Sequence, residues 1–279
     1  MGNGRPGRRS GQDDDRPTAW CAYGKLLRLF RDRAGMTQQQ LGDAIGYSLE
    51  QVGSVEQGRR PAKAAFTEAA EEAVGAGGAL RVLQEDVDRA KLPAFFRDFA
   101  LLESEAVSRF SYDPLLVPGL LQTEDYARVL FAGHCPPLSD ETVERHVEAR
   151  LARQRLLDRT PLVELCFVIG ESALTNPVGG SEVLRTQLQR LLAVGRQRNV
   201  EIQVMPAGRG FHTGLDGPFV LLETSEQERI GYVESQEVGC VVTDGSDVTA
   251  FGLRYGKLRA QALTPEESAK LIDRLAGEA

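Results

Sequence analysis

The sequence has little cysteine and histidine and no long apolar run, and each shortage argues against a class of protein. Its four cysteines are widely spaced with no Cys-x-x-Cys pair, which disfavours a disulfide framework and favours reduced thiols in a cytoplasm. No stretch approaches the roughly 18 apolar residues of a membrane span, and the first residues lack the apolar core of a secretory signal. His134, Cys135 and His146 lack the spacing of a zinc site. We therefore expect a soluble, cytoplasmic protein with no membrane association, no metal and no cofactor.

The chain also lacks a positive net charge, since its formal net charge is -7. Residues 1–60 hold ten lysines and arginines against seven acidic residues, a net +3, and the remaining residues carry -10. A basic N-terminal part on an acidic remainder is typical of a DNA-binding module joined to a domain with another role. We expect a disordered arm over residues 1–18, a helical DNA-binding domain over 19–93 and a larger domain over 94–279.

Residues 37–57 predict two helices joined by a tight turn. Thr37 is a suitable N-cap for a helix over "QQQLGDAI", and Gly46 is suited to the left-handed conformation that ends it. Ser48 is a suitable N-cap for the next helix, which runs to about residue 57. Two helices joined by a short turn around a glycine form the helix-turn-helix signature, in which the second helix enters the major groove of DNA.

A helical wheel divides the residues of this second helix between the protein interior and the DNA. It places Val52, Val55 and Glu56 on the buried side. We expect Glu56 to form an ion pair with Arg28 or Arg31 of the helix that precedes the motif.

The same wheel turns Glu50, Gly53, Ser54 and Gln57 outward, with Gln51 on the shoulder. Gln51 can pair with adenine, Glu50 can accept a hydrogen bond from cytosine, and Leu49 can touch a thymine methyl group. We expect phosphate contacts from the first turn after Thr37, from the arginines that follow the helix, and from Arg5, Arg8 and Arg9 of the arm. The predicted DNA-binding residues are Thr37, Gln38, Gln39, Ser48, Leu49, Glu50, Gln51, Ser54, Arg59 and Arg60.

The stretch "MTQQQLGDAIGYSLEQVGSVEQGRRP" resembles the Xre/Cro-type helix-turn-helix family. The resemblance assigns Thr37 and Gln38 to the family's capping and phosphate-contacting pair. It assigns Leu49, Glu50, Gln51 and Ser54 to its base-reading positions. Leu49 and Glu50 stand where many members have polar or basic residues, which leaves the target sequence open and implies modest intrinsic affinity.

The pattern beyond residue 94 predicts an α+β domain with a small mixed sheet. The expected helices span residues 94–106, 139–159, 181–198, 246–262 and 265–277. A further helix is expected after its N-cap Thr123. The expected strands are "LVELCFVI", "VEIQVMP", "GPFVLLE", "RIGYVE" and "VGCVVT".

Several stretches of this part, including "VPGLLQTEDYAR", "VEARLARQRLL" and "ALTPEESAKLI", are similar to the C-terminal domain of actinobacterial Xre-family regulators. These antitoxin-like regulators are commonly encoded beside a small acidic partner protein, and the role of their C-terminal domain is poorly defined. The resemblance therefore implies an architecture and a possible protein partner.

The sequence favours a DNA-binding regulator over an enzyme. Ser172, His212 and Asp216 could form a catalytic triad by residue type, but "IGESAL" lacks the second glycine of a nucleophile elbow. We expect a homodimeric, cytoplasmic transcriptional regulator that binds a double-stranded operator and whose second domain dimerises and receives a partner protein or ligand. The alternative is an antitoxin-like adaptor that mainly sequesters a small partner protein and binds DNA for autoregulation.

Overall fold

The computed structural model of the chain describes residues 17–92, 96–236 and 238–279 and divides the protein into two compact units. The N-terminal unit ends at Ala90 and the C-terminal unit begins at Lys91. The predicted arm lies outside the described residues except for its last two positions, and Thr18 already belongs to the first helix. The predicted fold class, a helical N-terminal part followed by a larger α+β part, is confirmed.

The described part of the N-terminal unit consists of helices around one apolar core. Trp20 and Tyr23 of the first helix lie in this core, and their polar atoms are paired. Trp20 Nε1 donates to the carbonyl of Val87 at 3.1 Å, and the Tyr23 hydroxyl lies 2.6 Å from Thr67 Oγ1. The helices are α1 (Thr18–Arg33), α2 (Gln38–Ile45), α3 (Leu49–Glu56), α4 (Ala64–Val74) and α5 (Ala79–Arg89).

The C-terminal unit is built on a mixed sheet of six strands in the described residues. The order is β3-β2-β1-β4-β5-β6, with β1, β2 and β3 parallel and the other neighbouring pairs antiparallel. The strands are β1 (Ala106–Asp113), β2 (Glu164–Gly170), β3 (Val200–Met205), β4 (Phe219–Thr224), β5 (Arg229–Ser235) and β6 (Val238–Val242).

Helices cover both faces of this sheet. On one face, α10 and α12 pack against Leu165, Phe167 and Ile169 of β2, and on the other α11 packs against Cys166 and Val168, as the two-residue period of a strand requires. The helices are α6 (Arg97–Glu105), α7 (Glu124–Ala132), α8 (Asp140–Arg153), α9 (Glu171–Thr175), α10 (Ser181–Val194), α11 (Gly245–Gln261) and α12 (Pro265–Glu278). The helix predicted over 139–159 ends as an α-helix at Arg153, and a 3-10 turn follows over Gln154–Asp158. In the described residues, no helix is both long enough and apolar enough to cross a membrane.

The central strand β1 was absent from the predicted sheet, and its buried polar residues explain why. Arg109 Nε donates to Glu103 Oε1 at 2.9 Å, and Arg109 Nη1 donates to Ser111 Oγ at 3.0 Å. Arg153 Nη2 donates to the other oxygen of Glu103 at 2.7 Å. Burial alone would raise the pKa of Glu103, but Arg153 and Arg109 outweigh it and lower that pKa below its usual value. This ionic network ties α6, β1 and α8 together.

Candidate nucleic-acid interface

The helix-turn-helix motif is held to α1 by one close helix crossing. A side chain at Gly24 would place its Cβ 2.4 Å from the carbonyl oxygen of Val55, so only glycine allows α1 and α3 to approach this closely. Beside the crossing, Arg31 Nε donates to Glu56 Oε1 at 2.5 Å and Arg31 Nη2 donates to Glu56 Oε2 at 3.1 Å. The predicted ion pair of Glu56 is confirmed, with Arg31 as the partner. Arg28 instead lies 3.7 Å from Asp32 on the surface.

The start of α2 is fixed by its cap. The Thr37 hydroxyl accepts from the N–H of Gln40, and the Gln40 side chain accepts from the N–H of Thr37. Such a capping box leaves the next N–H groups of the first turn without an intrahelical partner. Those N–H groups, with the positive end of the helix dipole, can bind a phosphate.

The side chains of Gln38 and Gln39 have partners within the protein. Gln38 Nε2 donates to Glu56 Oε2 at 2.6 Å, so this amide links α2 to the buried ion pair. Gln39 is exposed, and its amide donates to Asp43 Oδ1 at 2.7 Å. The predicted phosphate contact of Gln38 therefore falls to its backbone N–H, because its side-chain donor is engaged.

The N-terminal turn of α3 presents the predicted base-reading residues. Ser48 caps the helix, and Glu50 and Gln51 are exposed, as is Leu49 with 47% of its surface accessible. Gln51 Oε1 accepts from the N–H of Ser48 at 2.9 Å, which completes a second capping box. Because its oxygen is engaged, Gln51 can offer its amide N–H groups to a base without disturbing the cap. A bidentate pair with adenine would require the oxygen to leave Ser48.

The predicted outward position of Ser54 is wrong. Ser54 is only 5% exposed, and its carbonyl accepts from the N–H groups of Arg59 and Arg60 at 2.9 and 3.3 Å. The chain after α3 folds back over this part of the helix, which the wheel of an isolated helix does not include. Gly53 was also predicted to face outward, and it is buried as well. A Cβ at this position would lie 3.5 Å from Gln38 Oε1.

The turn after α3 presents two arginines. Arg59 and Arg60 are exposed. Their backbone N–H groups both donate to the carbonyl of Ser54, which fixes the position of these two residues beside α3. No side chain of the described residues pairs with the Arg59 guanidinium. Arg5, Arg8 and Arg9 lie outside the described residues.

The motif itself carries almost no net charge. Within residues 37–60, Arg59 and Arg60 oppose the exposed Asp43 and Glu50, while the charge of Glu56 is balanced by Arg31. Phosphate attraction from one copy of this surface is therefore weak, because it depends mainly on the number of cations that reach the DNA backbone.

Two other constellations do not assemble among the described residues. Ser172, His212 and Asp216 share no hydrogen bond, and the Nδ1 atom of the buried His212 accepts from the N–H of Gly214 at 3.2 Å. No group of three or more histidine, cysteine, aspartate or glutamate residues in this part of the chain is arranged to hold a metal ion.

Comparison with known families agrees with the division into two units. A family model described as a helix-turn-helix domain matches residues 22–83. A second model, described as a domain of unknown function (DUF5753), matches residues 96–274, which is more than half of the chain. The protein therefore belongs to the DUF5753 family and carries a helix-turn-helix domain at its N-terminal side. Searches of curated proteins and of solved structures gave no match.

Proposed function

We propose that this protein is a cytoplasmic, sequence-specific transcriptional regulator of the Xre type that binds operator DNA through α3. The observation that carries the proposal is the two-sided environment of this helix. Its inner side is fixed by the network of Arg31, Glu56 and Gln38, while Leu49, Glu50 and Gln51 are exposed at its N-terminal turn. A recognition helix needs this combination, because base edges are read by outward side chains on a rigid support.

Two parts of the motif can contact phosphates on either side of the major groove. The free N–H groups at the start of α2 can bind one phosphate, and Arg59 and Arg60 can bind others. These contacts position α3 but carry no sequence information. Base discrimination then rests on the few exposed side chains of α3.

By dimerising, the C-terminal unit brings the DNA-binding N-terminal unit of a second chain to the operator. One copy makes few phosphate contacts, whereas two heads about one helical turn of DNA apart gain affinity through their high effective concentration. On this proposal the C-terminal unit dimerises, and it also receives a regulatory ligand or a small acidic partner protein. It acts by binding and not by catalysis.

Selection from a random DNA library tests the proposal. The full chain should enrich one sequence with two inverted half-sites, and a protein with Leu49→Ala and Gln51→Ala should enrich none. If the wild-type protein enriches no sequence and forms a stable complex with a small acidic protein encoded nearby, the antitoxin-like adaptor replaces the regulator.

A further inference from the structure

The two edges of the six-stranded sheet differ in how their backbone groups are satisfied. At the β3 edge, the N–H of Val204 donates to Ser268 Oγ at 2.9 Å. The carbonyl of Val204 accepts from the N–H of Leu263, also at 2.9 Å. The connection between α11 and α12 and the start of α12 therefore cover this edge, which protects it against the addition of another strand.

The β6 edge has no such cover among the described residues. The pairing of β5 with β6 runs from Ser235 and Val238 to Gly231 and Val242, with two residues between the strands. A two-residue hairpin closes on a hydrogen-bonded pair, so alternate residues from Val238 onward direct their backbone groups to β5. Gly239 and Val241 therefore direct theirs outward. In the described chain no other backbone group pairs with them on that side.

The composition of β6 does not prevent pairing with another strand. Val238–Val242 contains no charge and no proline, the features that usually protect an edge. Val238 is 68% exposed although it is apolar, and Cys240 is exposed as well. An uncharged strand can meet its own copy without like-charge repulsion.

We propose that β6 pairs in antiparallel fashion with β6 of a second copy of this chain, about a two-fold axis that passes beside Cys240. The two sheets then form one continuous sheet across the dimer. The inference deepens the proposed function, since it locates the dimer contact that the regulator requires.

The register follows from which residues direct their backbone groups outward. Gly239 of one copy and Val241 of the other exchange both hydrogen bonds, and the two Cys240 residues face each other as a non-hydrogen-bonded pair. Gly239 has no side chain, which leaves room for Val241, a partly buried residue that packs against the cluster containing Phe99 and Tyr232. On the other face, the exposed Val238 lies against Val242 of the second copy. The strand is therefore complementary to itself in this register.

Disulfide trapping tests the register. Directly opposed residues of a non-hydrogen-bonded pair have Cα atoms about 4.5 Å apart, a separation at which a disulfide can form. In the full chain with Cys21→Ala and Cys135→Ala, Cys240 is the one exposed cysteine of the described residues, because Cys166 is buried. Copper phenanthroline should convert this protein to a covalent dimer, and adding Cys240→Ser should abolish the product. A protein that instead carries Cys240→Ser and Val241→Cys should not cross-link, and a covalent dimer there would overturn the register.

Two variants test the interface by light scattering of the full chain. Val238→Lys places a charge against the second copy, and Val241→Pro removes an outward N–H, which a free edge strand tolerates. The wild type should have twice the chain mass of 30.5 kDa, and each variant should have the mass of one chain. Leu253→Lys on α11 is the matched control, since Leu253 is 67% exposed, and it should remain a dimer.

The outcomes separate this inference from the proposed function. Dimeric Val238→Lys and Val241→Pro proteins would overturn the β6 pairing and leave a dimeric regulator with its contact elsewhere. A wild type that is a single chain at every concentration would overturn both the pairing and the dimeric part of the proposed function. Binding of a single operator half-site, measured on the same proteins, should be equal in wild type and variants. Circular dichroism and the melting temperature confirm that each variant is folded.

Discussion

Arg31 of α1 and Glu56 of α3 form a buried ion pair in which Arg31 Nε lies 2.5 Å from Glu56 Oε1. The second oxygen of Glu56 accepts from Arg31 Nη2 and from Gln38 of α2, so one carboxylate joins the three helices. The hydrogen bond from Arg31 to Glu56 raises the pKa of Arg31 above its usual value. This carboxylate therefore links α1 and α2 to α3, in addition to the close crossing at Gly24.

Removal of that group should destabilise the N-terminal unit. Glu56→Ala leaves the buried Arg31 without its partner, and we expect a loss of about 3–5 kcal/mol in the free energy of unfolding. Urea unfolding of wild type and variant measures this loss. Arg28→Ala is the control on the same helix, since its exposed pair with Asp32 should be worth less than about 1 kcal/mol. An unchanged stability of Glu56→Ala together with an altered DNA preference would mean that α3 is turned the other way.

The capping and reading roles of Gln51 can be separated by substitution. Glutamate keeps an oxygen for the N–H of Ser48 but lacks the amide donor, and it suits the third position of a capping box. Gln51→Glu should retain stability and change base discrimination by about 1–3 kcal/mol, whereas Gln51→Ala should lose both.

Competition between the operator and single-base variants of it measures this discrimination, and the ratio of the two affinities is the quantity to compare. The added negative charge of Gln51→Glu lowers the affinity for every DNA sequence by a similar factor, which cancels in this ratio. A change in the ratio therefore reports the loss of the amide donor. A ratio that is unchanged in both Gln51 variants would remove this residue from the reading surface.

Arg59 is predicted to contact phosphate and not bases. Arg59→Ala should weaken binding to operator and random DNA by a similar factor, and it should reduce the slope of log affinity against log salt by about 1. Titrations at several salt concentrations measure the slope. Arg229→Ala, which removes an exposed arginine from the C-terminal unit, should leave the slope unchanged. A loss confined to the operator would instead assign base contact to Arg59.

His146 should make the C-terminal unit sensitive to acid. Its Nδ1 atom is buried with no hydrogen-bond partner among the described residues. Burial, followed by the nearby charges of Arg145, Arg150 and His134, lowers the pKa of His146 to about 4. An unfolded histidine has a pKa of about 6.5, so the unfolded chain binds the proton more tightly. The stability that neutral His146 provides is therefore complete above pH ~6.5 and is lost as the pH falls toward ~4.

The variant His146→Phe isolates this effect from the titration of carboxylates. Phenylalanine keeps a ring against Phe131, whose centroid lies 5.2 Å from that of His146, but it cannot take up a proton. Urea midpoints at pH 7.5 and pH 5 should fall less in the variant than in the wild type. An equal fall in both proteins would show that His146 does not contribute.

Local signals predicted the helix-turn-helix motif because its ends are set by nearby residues. Thr37, Gly46 and Ser48 act at the predicted caps, with Gly46 at a φ of 77°. The capping partners Gln40 and Gln51 were missed, although glutamine three residues after a Thr or Ser cap is the sequence signal of a capping box. The pairing of Glu56 followed from the wheel, because a charged residue on a buried face requires a partner.

Features set by distant parts of the chain were not predictable in the same way. The burial of Ser54 depends on the turn that brings Arg59 and Arg60 back over α3. Strand β1 carries Arg109 and Ser111 at buried positions, and these are tolerated because Glu103 and Arg153 lie beside them in the folded unit. No pattern within the strand itself predicts those partners.

On the proposed function, the C-terminal unit gives the weakly charged N-terminal unit its affinity for DNA by pairing two copies of the chain. The direct test compares residues 1–90 with the full chain on a complete operator and on a single half-site. The full chain should bind the operator as two chains per duplex and far more tightly than the half-site. Residues 1–90 should bind both DNAs weakly and with similar affinity. If residues 1–90 equal the full chain in affinity and stoichiometry on the operator, the C-terminal unit does not act by dimerisation, and the proposed dimeric regulator is contradicted.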